Sequence, residues 1–192
     1  MATDQHRRIR PIATRYSGFL FRSRLEARWA LFFDELGVKW LYEPQGFEVD
    51  GRAYLPDFCL LLGEMLWAEV KPAIDADPDG VSRWRAFICA RGDRGVLLTD
   101  MTPGEPWDQT YLVLWPQEDG NYSEDDAARW CACPDGYHFD VRWPSGQCGQ
   151  CGADAERLEP SFGYDWDPGD RRISAAFDAA RSARFDQRVS SG

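Results

Sequence analysis

A chain of 192 residues is long enough for one well-buried core and a small appendage, and 44% hydrophobic content with nine tryptophans excludes wholesale disorder. No stretch approaches the roughly 20 consecutive apolar residues that cross a bilayer. Arg7, Arg8 and Arg10 have no apolar run behind them, so a soluble, cytoplasmic chain without a secretory signal or membrane partner is expected. The net charge of −10 weighs against nucleic acid, but residues 1–40 carry eight basic and four acidic side chains, and residues 111–170 three and thirteen.

Residues 1–16 are basic and aperiodic and read as a mobile arm. From Ser23, the apolar residues Leu25, Trp29, Phe32, Phe33 and Leu36 form one face of a helix that Gly37 stops. Val38–Glu43 reads as a strand broken by Pro44 and Gly46. Tyr54–Leu62 is a second strand, entered after the turn at Asp50-Gly51, and Gly63-Glu64 reverses the chain into a third, Met65–Val70. Residues 72–80 form a loop. A helix follows over Val81–Ala90, with Trp84, Phe87 and Ile88 inward, then strands at Val96–Thr99 and Tyr111–Trp115. The order predicts an α/β sandwich with a mixed central sheet. Beyond Pro116 come an acidic linker, a cysteine segment and an Arg/Ala-rich helix near Ile173–Phe185.

The chemistry concentrates between Ser23 and Pro72. The chain has only two lysines, Lys39 and Lys71, and the pattern acid-x-Lys occurs once, at Glu69-Val70-Lys71. Strand side chains alternate, so Glu69 and Lys71 share a face while Val70 turns to the core. If residue 62 meets residue 65, Asp57 of Pro56-Asp57 falls near residue 70, within one position of Glu69. Two converging carboxylates favour a hard divalent cation such as Mg²⁺ or Mn²⁺. Such an ion lowers the pKa of a bound water, and Lys71 beside it orients that water or stabilises transition-state charge. Glu26 is open to two roles: serving this site from its helix, or closing a capping box with Ser23. Glu43 joins a second metal site or ends a strand. Arg22, Arg24 and Arg28 meet phosphate or form a solvated helix face.

Ser23-Arg24-Leu25-Glu26, Tyr42-Glu43, Tyr54-Leu55-Pro56-Asp57-Phe58 and Trp67-Ala68-Glu69-Val70-Lys71 together resemble the PD-(D/E)xK nuclease superfamily. Within it they are most similar to phage-type junction-resolving and transposon-end-cleaving endonucleases. The resemblance covers roughly residues 17–100 and implies a restriction-endonuclease-like three-layer core and metal-dependent cleavage of DNA, in a phage or mobile-element setting. It also implies Asp57 and Glu69 as metal ligands, the Val70 carbonyl as a third, Lys71 as the catalytic lysine and Glu26 as the helix acid.

Cys59 and Cys89 are isolated in apolar surroundings and read as core residues. Cys131, Cys133, Cys148 and Cys151 cluster within 21 residues, beside His138. That clustering predicts a structural zinc in a ribbon-like appendage, with His138 as a possible replacement for Cys131 or Cys133. The expected divisions are therefore a basic arm (1–16), a nuclease core (17–116), an acidic linker with the zinc segment (117–170) and a helical tail (171–192). DNA is the expected partner, with a protein partner possible through the C-terminal region. The competing reading is a catalytically silent nucleic-acid- or protein-binding adaptor with the same fold.

Overall fold

A computed structural model of the chain describes residues 11–73, 75–101, 112–125, 128–133, 136–141 and 171–185. The elements begin with strands β1 (Thr14–Tyr16) and β2 (Phe19–Phe21), helix α1 (Arg24–Glu35) and strand β3 (Lys39–Tyr42). Strands β4 (Phe47–Val49), β5 (Arg52–Tyr54), β6 (Phe58–Leu62) and β7 (Glu64–Val70) precede helix α2 (Pro78–Arg91). Strands β8 (Arg94–Leu98), β9 (Leu112–Pro116), β10 (Tyr122–Asp125), β11 (Ala128–Cys133) and β12 (Gly136–Val141) follow, then helix α3 (Arg171–Ser182).

Six strands form one mixed sheet in the order β10-β9-β8-β7-β6-β3. The β7–β8 pair is parallel, with α2 as its crossover, and the other neighbours are antiparallel. Alternation along the strands sorts the core into two halves. Phe58, Leu60, Leu66, Ala68, Val96, Leu98 and Val113 join α1 and α3 in one buried cluster. Cys59, Trp67, Leu97, Leu112 and Leu114 join Trp84, Phe87 and Ile88 of α2 in the other. Helices thus cover both faces, the α/β arrangement expected from the element order.

The differences from expectation have local causes. The strand expected over Tyr54–Leu62 is broken at Leu55-Pro56-Asp57, because Pro56 cannot donate to a ladder. Its first part instead pairs with β4 around Asp50-Gly51, both at positive φ. Part of the basic arm is structured: β1 pairs with β2 through Ser17-Gly18, again both at positive φ, a two-residue turn suited to a twisted hairpin. Thr14 is buried in that hairpin. Helix α2 starts at Pro78 rather than Val81, because Asp77 caps it and Pro78 fits the first helical turn. The acidic linker contributes β10, held to α2 by a 2.7 Å Arg85–Glu124 ion pair and by Tyr122, whose hydroxyl donates to the Ile88 carbonyl. Cys59 is buried as expected, but Cys89 is exposed, since it falls on the outer face of α2.

Helix α3 is packed onto α1. Ile173, Ala176, Phe177 and Ala180 are buried in the α1 cluster, and the Phe177 ring lies 4.4 Å from Phe32 and 6.0 Å from Trp29. Phe177→Ala should therefore cost about 3–5 kcal/mol of stability. Urea unfolding measures this, and a change near zero would make α3 an appendage rather than part of the core.

Candidate active site

Each acidic side chain at the site is placed by a different local rule. Gly63, at φ 83°, makes the β6–β7 reversal alone, so Leu62 pairs with Glu64 rather than with Met65. That shifts the expected register by one. Phe58 pairs with Ala68 at the end of the ladder, and Asp57 and Glu69 are the next residues on the two chains. The Val70 amide donates to Asp57 Oδ2 at 2.8 Å, tying the two strand ends together. Val70, whose carbonyl is the implied third ligand, is thereby fixed beside Asp57. Glu26 arrives from the other side, in the first turn of α1.

All three carboxylates are buried: Asp57 is 3% exposed, Glu69 5% and Glu26 6%. Burial of ionised acids is costly unless each finds donors or counter-charges. Glu26 Oε2 accepts from the Tyr42 hydroxyl at 2.6 Å and from the Arg22 amide at 3.1 Å. The capping box is thus only half made. Ser23 Oγ accepts from the Glu26 amide at 3.1 Å, but the returning carboxylate meets Arg22 and not Ser23. Glu69 Oε2 accepts from the Tyr54 hydroxyl at 2.7 Å, and its Oε1 lies 2.9 Å from Lys71 Nζ. Arg22 bridges Asp57 Oδ1 and Glu43 Oε1, the latter at 2.7 Å. Glu43 ends β3 with φ at 44°, a left-handed conformation that non-glycine residues seldom adopt, and its amide donates to the Asp57 carbonyl at 2.9 Å.

The electrostatics follow. Burial, then the charges of Glu69 and Glu26, hold the Asp57 carboxyl well above the usual carboxylate range, outweighing the Val70 amide and Arg22. Burial works against the charge of Lys71, but Glu69 more than offsets it and raises its pKa. Burial similarly opposes Arg22, and Asp57 and Glu43 overcome it. The Tyr54 phenol is driven up by burial and then by Glu69, and the Tyr42 phenol by burial and its bond to Glu26. Both tyrosines therefore stay protonated and act as fixed donors.

Among the described residues, no trio of His, Cys, Asp or Glu groups forms a ready-made metal cage. The carboxylates turn instead toward internal donors. Their chemistry still fits a hard divalent cation: the acids supply only oxygen, and Glu69 and Glu26 repel the charge of Asp57. Asp57, Glu69, Lys71 and Glu26 are thus brought together as the motif spacing anticipated, with Glu43 and Arg22 at the rim. Arg24 and Arg28 are half-buried on α1. Tyr42, Tyr54 and Asp77 also belong to the site and were not identified from sequence. Asp77 had a readable signal, since Asp before Pro marks a helix start. Nothing in the spacing of the tyrosines marked them.

Cys131 and Cys133 lie on β11, and His138 lies on β12 opposite Cys131 in the backbone register. Cys148 and Cys151 lie outside the described residues.

Asp57 yields a pH test. Between the ordinary 3.8 and its raised value, the folded chain keeps a proton that the unfolded chain has released. This group's contribution to stability therefore falls as pH rises through that window. In chelator-treated protein, urea unfolding should show stability declining from about pH 5 to about pH 8, with a shallower decline in Asp57→Asn. Equal slopes would place the buried charge elsewhere.

In comparisons with known proteins, no family model matches the chain, and no curated protein and no solved structure is significantly similar to it.

Proposed function

We propose that the chain is a metal-dependent deoxyribonuclease with a restriction-endonuclease-like core, hydrolysing DNA phosphodiester bonds. The observation that carries this reading is the β6–β7 register, which makes Asp57 and Glu69 the next residues after its last pair, with Lys71 two residues beyond Glu69. Asp57 and Glu69 would hold Mg²⁺ or Mn²⁺, with the Val70 carbonyl as a further oxygen and Glu26 reaching the ion directly or through water. Bound there, the ion supplies an acidified water and neutralises charge on the phosphate.

The chain's own groups do the positioning. The Lys71 ammonium, 17% exposed and paired with Glu69, orients the attacking water or stabilises the charge that builds on phosphate. Tyr54 and Tyr42 fix one oxygen each of Glu69 and Glu26, and the second Glu69 oxygen faces Lys71. Arg22 is 55% exposed and becomes available to a substrate phosphate once a cation takes over its role at Asp57. A structural zinc held by four of Cys131, Cys133, His138, Cys148 and Cys151 completes the reading, with no chemistry assigned to it.

One observation favours the adaptor reading: the Arg22 guanidinium pairs with both Asp57 and Glu43, occupying acids that a cation would need. Incubation with plasmid, branched and single-stranded DNA, in Mg²⁺, Mn²⁺ or EDTA, separates the two. Asp57→Asn and Glu69→Gln should each abolish cleavage, and Lys71→Ala should lower turnover with less loss of metal binding. Glu26→Gln should melt like wild type yet cut poorly. Cleavage that survives in the Asp57→Asn/Glu69→Gln double variant, or that EDTA leaves untouched, would sink the nuclease assignment.

Zinc is tested separately. Elemental analysis of protein purified without chelator should give one zinc per chain, lost in Cys148→Ser or Cys151→Ser. A value near zero would leave the cysteines as thiols or disulfides.

A further inference from the structure

Lys71 has a second carboxylate partner. Its Nζ lies 3.3 Å from Asp77 Oδ2 as well as 2.9 Å from Glu69 Oε1. Asp77 comes from another element, since it is the N-cap of α2, where its Oδ1 accepts from the Gly80 amide at 3.0 Å. The two oxygens of one carboxylate thus do separate jobs. One fixes the helix start and the other faces the ammonium.

The fit around this pair is close. A Cβ at Gly80 would lie 3.1 Å from Lys71 Cε and would collide with the Asp77 carboxylate. The start of α2 therefore rests directly on the lysine stem. A helix N-terminus carries partial positive charge, which by itself repels an ammonium. The Asp77 carboxylate offsets that repulsion at the one place where helix and lysine meet. Glu69 divides its two oxygens between Lys71 and the Tyr54 hydroxyl, and Asp77 adds a second counter-charge to the ammonium.

We propose that Asp77 is a positioning residue, which holds the Lys71 ammonium at the cleavage site by anchoring it to the first turn of α2. This rests on the nuclease reading of the site. The alternative is that Asp77 caps a helix and does nothing else. The two separate at Asp77→Asn. Asparagine caps as well as aspartate, but it has one acceptor oxygen, so with Gly80 satisfied it turns an N–H toward the ammonium.

The test uses the full chain with Mg²⁺ and whichever DNA it cuts, together with NMR of the lysine Nζ groups in isotope-labelled, metal-free protein. Only Lys39 and Lys71 contribute side-chain signals, and Lys39→Arg identifies which is which. Asp77→Asn should melt with wild type, lose about 10- to 100-fold in kcat with little change in KM, and move the Lys71 signal toward that of Lys39. Asp77→Ser, a capping residue too short to reach Lys71, should behave the same way and serves if the asparagine variant does not fold. Wild-type kcat in both variants would overturn the proposal, as would a lost kcat with an unmoved Lys71 signal. If wild type cuts no DNA, the nuclease reading fails by itself. The Lys71 signal then decides alone, its movement in Asp77→Asn supporting the anchoring and its constancy overturning it.

Discussion

Everything at the candidate site depends on the single-residue reversal at Gly63. The link is too short to slip, so it locks β6 to β7 with Leu62 facing Glu64. One residue more in that turn would carry Asp57 away from Glu69 along the strand. The left-handed backbone of Gly63 is what makes so short a link possible. From that register follows the Asp57–Val70 hydrogen bond, while alternation along the strand puts Glu69 and Lys71 on one face. The burial of two acids at the end of the sheet follows too.

The second constraint is electrostatic. Three buried carboxylates cannot be left bare, and the fold meets them with donors from every side: two tyrosine hydroxyls, the Val70 and Arg22 amides, Arg22 and Lys71. Those donors come from β3, β5, β7 and the segment between β2 and α1. The site is therefore assembled from two strands of the main sheet, the separate β4–β5 pair and the segment before α1, and not by one loop. Each donor fixes an oxygen in place, which favours a preorganised cluster over a loose acidic patch. The strained backbone at Glu43 fits the same picture, since its amide braces Asp57 from behind while its carboxylate meets Arg22.

Much of this was legible in the sequence, for physical reasons. The face of α1, the inward residues of α2 and the alternation through Glu69-Val70-Lys71 are periodic signals, and periodicity survives without a structure. The Asp57–Glu69 pairing was readable to within one residue; the remaining step depended on whether Gly63 turned alone, which no pattern encodes. Pro56 could have split the long strand from the start. The tyrosines that brace Glu26 and Glu69 were not legible, because their role depends on tertiary approach of β3 and β5. Asp77 was overlooked for another reason: a stretch rich in Pro, Asp and Gly reads as loop until Asp-Pro is taken as a helix start. The docking of α3 was equally hidden, since its amphipathic pattern gives a buried face but not the partner that covers it.

That docking bears on how the molecule comes together during synthesis. Helix α1 emerges early and carries Trp29, Phe32 and Phe33, all fully buried in the folded chain. Helix α3, which covers part of that surface, is made only after the entire sheet. Until then the apolar face that steadies the Glu26 helix stays open to solvent or to chaperones, and the core closes only after a long-range encounter. The contacts of Phe177 with Trp29 and Phe32, on the helix that carries Glu26, therefore form only once α3 exists.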